Sequence, residues 1–203
     1  IQEILDFRKA EDAGFSHTHI RRVSVSSLLR TQFEWFYPLS EQHQIQFKID
    51  APKELYWNTD SVYFKKILAN LISNAFKYTE DGGTVRISLH EEENFLVLKV
   101  YNTGKGIEEA DMQNIFDRYR ILGTMDNDDN RQNTTRNGLG LFICHSLVQS
   151  LGGKIDIESE VGQYAEFTVT LPFVIVEETS DNTIDEEIPV SLPSPNTDIQ
   201  EPQ

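Results

Sequence analysis

The chain is short of several things, and each shortage removes a class of function. Cys144 is the only cysteine among 203 residues, so no intrachain disulfide framework can hold the fold, and a reducing compartment suits it. No apolar run approaches the roughly 18 residues a membrane-spanning helix needs, and the N-terminus carries no secretory signal. Basic residues are scarce: 18 Lys and Arg stand against 33 Asp and Glu, for a formal charge of −15. That balance gives no basic stripe for nucleic acid and disfavours an anionic membrane surface. Eight of the acids, with no Lys or Arg, lie in residues 174–203. The same stretch holds four of the seven prolines and no aromatic residue, a composition that cannot bury enough apolar surface to order itself. We read it as an acidic linker.

What remains has enough apolar substance for a core, with 38% hydrophobic residues, 12 Phe and 7 Tyr. Helical spacing at Ile1, Ile4, Leu5 and Phe7 ends at Gly14. The chain starts without Met in what reads as mid-helix, and is expected to be a piece of a longer protein. Arg21 to Val25 is a short strand candidate. Ser24 or Ser26 is placed to cap a helix to about Gln42, with Leu28, Leu29, Phe33, Phe36 and Leu39 inward. Ile45 to Ile49 alternates as a half-buried strand does, and Leu55 to Trp57 adds another. A second helix opens at Asp60 or Ser61 and runs to Tyr78 with Val62, Phe64, Ile67, Leu68, Leu71, Ile72, Ala75 and Phe76 in one 3.6-residue period. Strands at Val85 to Leu89 and Phe95 to Val100 flank an acidic hairpin. A glycine-bearing loop from Asn102 to Gly106 and a short helix from Glu108 to Phe116 follow. Residues 117–137 are polar and too long for an ordinary connection, a length found in functional lids or in disordered segments. A third helix from Gly138 to Leu151, stopped by Gly152 and Gly153, precedes a hairpin at Ile155 to Glu158 and Ala165 to Leu171. The order predicts an α+β, two-layer sandwich: a mixed, mostly antiparallel sheet with three helices on one face.

Three segments carry chemistry. In Asn70-Leu71-Ile72-Ser73-Asn74-Ala75-Phe76-Lys77-Tyr78, two asparagines four apart share a helix face with Lys77 one turn on. Amide oxygens are hard ligands suited to magnesium, and a lysine offsets phosphate charge. In Asn102-Thr103-Gly104-Lys105-Gly106-Ile107, two glycines let the backbone approach a ligand closely, although this is no dinucleotide fingerprint because the third glycine and the parallel βαβ unit are missing. In Asn137-Gly138-Leu139-Gly140-Leu141, a helix N-terminus aims amides at an anion. Each segment alone also fits a bland account: a solvated helix stripe, a turn, a helix cap. Their order and spacing make the combination informative.

Together these segments resemble the nucleotide-binding boxes of the GHKL superfamily (the Bergerat ATP-binding fold), and within it the sensor histidine kinases. The likeness runs from about Val23 to Phe173, and Ile115 to Arg120 resembles the phenylalanine box. It implies a domain at 15–173, the end of the second dimerisation and phosphoacceptor helix at 1–14, and a linker at 174–203. It implies ATP held with Mg2+ by Asn70, Asn74, Lys77, Tyr78, Asn102, Gly104, Gly106, Ile107, Tyr119, Arg120, Gly138, Leu139, Gly140 and Leu141, with Asn74 on the metal. It also implies γ-phosphoryl transfer to a histidine on a separate dimerisation domain. None of His17, His19, His43, His90 and His145 lies in the family's phosphoacceptor pattern, so the fragment is expected to be inactive alone, and monomeric or weakly dimeric. The implied setting is cytoplasmic, in a two-component phosphorelay whose parent is anchored in a bacterial inner membrane. A response regulator receiver domain would be a partner, in the same chain if the parent is a hybrid sensor kinase. Two departures stand out. Asn102 replaces the usual Asp, which keeps an acceptor for the adenine amino group without charge assistance, and Arg136 replaces a frequent Gly. They support the alternative of a degenerate regulatory module with little activity. A hydrolytic machine like the chaperones or mismatch-repair proteins of the superfamily would need a Glu in the asparagine-bearing helix, and none lies between Lys65 and Thr79.

Overall fold

The computed structural model describes residues 18–117 and 139–175. Four expectations lie outside that range: the first helix (1–14), the lid, the helix start at Gly138 and the acidic linker beyond residue 175.

Strand β1 (Arg21–Ser24) leads into helix α1 (Val25–Gln42), then β2 (Gln46–Asp50), β3 (Tyr56–Thr59) and helix α2 (Ser61–Tyr78). Strands β4 (Thr84–Glu92) and β5 (Phe95–Thr103), the single-turn helix α3 (Glu109–Met112), helix α4 (Gly140–Ser150), β6 (Lys154–Glu160) and β7 (Tyr164–Pro172) complete the described elements. The principal sheet has the order β2-β4-β5-β7-β6, antiparallel except for the parallel β2–β4 pair. Strands β1 and β3 form a separate antiparallel ribbon. α2 lies over β5 and packs against both α1 and α4. The expected α+β sandwich is the observed one.

Local chemistry accounts for the element ends. Asp60 caps α2 by accepting from the amides of Val62 and Tyr63 at 2.9 and 3.1 Å through Oδ1, while Oδ2 accepts from the His19 amide; this satisfies donors a helix start leaves unpaired. The β4–β5 hairpin turns on Glu93 and Asn94, with φ of 51° and 80°, the paired positive φ that a tight hairpin demands. Gly152, at φ 71°, ends α4 with its amide donating to Gln149 O, and the Gly153 amide donates to Val148 O.

The core is the seam between sheet and helices. Along α2, Phe64, Ile67, Leu68, Leu71, Ile72, Ala75 and Phe76 are buried as the period predicts. Two positions assigned inward are not: Val62 is 56% exposed and Leu39 36%. A 3.6-residue period fixes the direction in which a side chain points, and whether anything covers that direction is a tertiary matter. Neither serine predicted to cap α1 does so. Ser24 occupies the cap position without a side-chain bond, and the Ser26 hydroxyl is turned to the loop before β3, where it accepts from the Leu55 amide and donates to Lys53 O.

Candidate functional site

The three motifs occupy three different elements, and the fold brings them to α2. Asn70 and Asn74 are half-buried on α2, one turn apart, while Lys77 and Tyr78 are exposed at its end. The Lys77 ammonium sits 5.0 Å from the centre of the Tyr78 ring, so its charge is held beside the mouth of the helix by a cation–π contact.

The glycine-bearing segment differs from expectation in one respect. Asn102 and Thr103 are the last residues of β5, not loop residues. The reason is alternation: Leu96, Leu98, Val100 and Asn102 fall in phase, all buried on the helix side of the sheet. The strand therefore delivers a polar side chain, 5% exposed, at the end of an apolar row beneath α2. Asn102 Nδ2 donates one of its two N–H groups to the Thr103 carbonyl at 3.1 Å, which orients the amide, and Oδ1 is the side chain's acceptor.

Gly104 and Gly106 are required by close approach. A Cβ on Gly104 would stand 2.2 Å from the Tyr78 carbonyl oxygen, and one on Gly106, at φ 65°, would stand 2.2 Å from the Glu160 carbonyl oxygen. Neither obstacle is a side chain that can rotate away. The segment thus passes between the end of α2 and the β6–β7 turn. That turn and the end of β6 pin it through the Gly104 amide to Gln163 O at 3.0 Å, the Gly162 amide to Lys105 O at 2.7 Å and the Ile107 amide to Ser159 Oγ at 2.8 Å. Ser159 in turn donates to Tyr164 O at 2.6 Å. Sequence reasoning missed Ser159, Gln163 and the carbonyl of Tyr78; the one available signal was the unassigned turn at Gly162 between the last two strands. Ile107 is buried.

The third motif begins α4. Leu139 is buried, the described helix runs from Gly140, and Leu141 is half-buried against the core. A Cβ on Gly140 would stand 3.3 Å from Asn70 Oδ1, so the start of α4 approaches the first asparagine of α2 directly. The first amides of a helix have no acceptor within it, which applies here to those of Gly140 and Leu141. Of the phenylalanine-box residues, Ile115 is buried, and Phe116 stacks on His145 at 5.3 Å and meets Phe167 edge-on at 6.4 Å. Gly138, Tyr119, Arg120 and Arg136 lie outside the described residues. Cys144 is fully buried, and desolvation pushes its thiol far up from the usual range.

Around α2, then, two amide side chains, a buried acceptor at a strand end, an exposed lysine and a helix N-terminus converge. The donor set fits a hard cation with an anionic ligand: amide oxygens for the metal, amides and ammonium for phosphate.

A family model described as "Histidine kinase-, DNA gyrase B-, and HSP90-like ATPase" matches residues 59–188. The sensor protein EvgS of Escherichia coli O157:H7 is 30% identical over 200 residues, 95% of this chain and 16% of EvgS, so the chain spans about a sixth of that relative's length. Among solved structures, the catalytic domain of histidine kinase ThkA in a nucleotide-free form superposes with a TM-score of 0.66 at 25% identity, over 76% of this chain and 96% of that one. Full-length ShkA in complex with AMPPNP gives 0.66 at 25% identity, over 80% of this chain and 33% of that one.

Proposed function

The chain belongs to the histidine kinase-, DNA gyrase B- and HSP90-like ATPase family, as a catalytic domain of the sensor kinase type, and from that premise we propose that it binds Mg2+–ATP around α2 and donates the γ-phosphoryl group to a histidine on a separate dimerisation domain. One observation carries the reading: α2 touches both other motifs, Gly104 at its C-terminal end and Gly140 at Asn70, so three sequence-distant segments meet on one helix.

The residues divide the work by chemistry. Asn102 Oδ1 accepts from the adenine amino group, while Gly104, Gly106 and Ile107 form the wall beside the base. Asn74, with Asn70 on the preceding turn, offers amide oxygen to the metal. Lys77 offsets phosphate charge, and Tyr78 lines the pocket. The amides of Gly138 to Leu141 face the phosphates, and Tyr119 or Arg120 closes over the nucleotide. Bound Mg2+ would neutralise charge that develops on the phosphates. The chain's own part is positioning, since no residue here needs to be covalently modified.

By the same reading residues 1–14 end the second dimerisation helix, 15–173 are the ATP-binding domain and 174–203 an acidic linker. The partners are the histidine-bearing domain of the parent and a receiver domain, in the same chain if the parent is a hybrid kinase. The domain works in the cytoplasm of a parent anchored in the bacterial inner membrane. Among the described residues no helix is long and apolar enough to cross a membrane.

Calorimetry with ATP and GTP, with and without Mg2+, tests the nucleotide site, and autophosphorylation of the full cytoplasmic region with labelled ATP tests the transfer. We expect ATP-selective, Mg2+-dependent binding and slow hydrolysis by the isolated domain. Equal or absent binding of the two nucleotides overturns the assignment and favours a regulatory module; brisk hydrolysis favours a chaperone-like ATPase.

A further inference from the structure

We propose that the β1–β3 ribbon is an intramolecular docking surface for the acidic stretch 177–187 of the same chain. The ribbon is basic where the rest of the chain is acidic. Residues 13–33 contain three arginines and no acid. Arg21 and Arg22 are exposed on β1. The Arg22 guanidinium lies over the exposed ring of Tyr56 at 5.0 Å, a contact that fixes its position and leaves its N–H edges available to a carboxylate. Arg30 reaches the Pro52 carbonyl at 2.9 Å beside the exposed Lys53. Among the described residues the acids in or next to these segments are Glu34, Asp50, Glu54 and Asp60, and both carboxylate oxygens of Asp60 already accept backbone amides.

The described chain also ends on this ribbon. After β7 the Phe173 ring meets Trp57 edge-on at 5.2 Å, and Asn58 Nδ2 donates to the Val174 carbonyl at 2.7 Å. Asn58 is the cross-strand partner of Arg22. Glu177 follows Val174 by three residues, at most about 10 Å of extended chain, and residues 177–187 hold six acids and no base. Residues 1–173 carry −7, so most of the domain surface repels this stretch, and the basic ribbon at its point of exit is where attraction wins. The short connection raises the effective concentration of the acids at the ribbon into the millimolar range, so individually weak ion pairs suffice.

A spin label at Thr183→Cys in the full chain tests this by amide line broadening. The buried Cys144 leaves the introduced thiol as the one that reacts. Tethering alone broadens nearby amides, so the decisive control is the same labelled chain with Glu177→Gln, Glu178→Gln and Asp181→Asn. We expect broadening at Arg22, Val23, Tyr56 and Trp57 that exceeds this control. The excess should vanish at about 0.5 M salt, where screening acts over about 4 Å, and in Arg22→Glu, whose remaining spectrum reports an intact fold. Broadening equal to the control at every salt concentration overturns the proposal. Broadening passed to unlabelled molecules in a mixture also overturns it, and assigns the ribbon to a second copy of the chain.

Discussion

Asn102→Asp separates two roles that the native residue combines. In the ligand-free domain the substitution removes the Nδ2 donor to Thr103 O, a bond of 3.1 Å, and places a carboxylate oxygen opposite that carbonyl in a position 5% exposed. A lost neutral hydrogen bond costs about 1 kcal/mol, and two acceptors facing each other at a desolvated site add roughly another. A total near 2 kcal/mol lowers the melting temperature of a domain this size by roughly 6 °C. With adenine bound the sign reverses, because a carboxylate accepts the exocyclic amine with charge assistance and strengthens that bond by on the order of 1 kcal/mol, about fivefold in Kd. Scanning fluorimetry without ligand and calorimetry with ATP and GTP measure the two halves separately. We expect a less stable free domain that binds ATP more tightly, with GTP unaffected. An unchanged melting temperature would refute the Thr103 anchor, and equal shifts for ATP and GTP would refute adenine reading by position 102.

Three further outcomes follow from other sites. Gly140→Ala puts a Cβ 3.3 Å from Asn70 Oδ1 and displaces that amide by a few tenths of an ångström; calorimetry should show ATP affinity down severalfold with the melting temperature within about 2 °C of native, and unchanged affinity would remove Asn70 from the site. Asp60→Ala strips the cap from α2 and the partner of the His19 amide, so urea unfolding should show a loss of about 2 kcal/mol, with Asp60→Asn recovering part of it. Burial, and secondarily the Asp60 carboxylate, raise the Tyr63 hydroxyl above its ordinary 10.0. The folded state therefore holds that proton more tightly than the unfolded chain, and the stability it contributes is complete below pH 10 and lost as pH rises beyond it. Tyr63→Phe should flatten the alkaline limb of a stability profile, and an unaltered limb would locate the titration elsewhere.

The readable parts of this fold are those where a local rule and the tertiary environment agree. The buried face of α2 follows its period because sheet and flanking helices cover it on that side. Val62 and Leu39 obey the same period and stay exposed, since periodicity carries no information about where the covering layer stops. Alternation from Leu96 onward does reach Asn102, yet a glycine two residues later draws attention to a loop and hides that the asparagine is still strand. The parallel pairing of β2 with β4 and the separation of β1–β3 from the main sheet are long-range choices with no local signature. The candidate site was legible as residue types in α2, β5 and α4. The hairpin that braces it was not, because Gln163 acts through a backbone carbonyl that any residue supplies and Ser159 through a single hydroxyl with no motif around it.

That brace changes what the glycine segment is. Three hydrogen bonds tie residues 104, 105 and 107 to the β6–β7 hairpin, so a stretch whose composition suggests suppleness is fastened into the sheet before any ligand arrives. A ligand lodged against it would find a surface already shaped, with little ordering left to oppose association on that side. Hydrogen exchange at the amides of Gly104 and Ile107 should then be slow in the free domain and scarcely slower with nucleotide bound, so that the part of the site richest in glycine is the part that responds least.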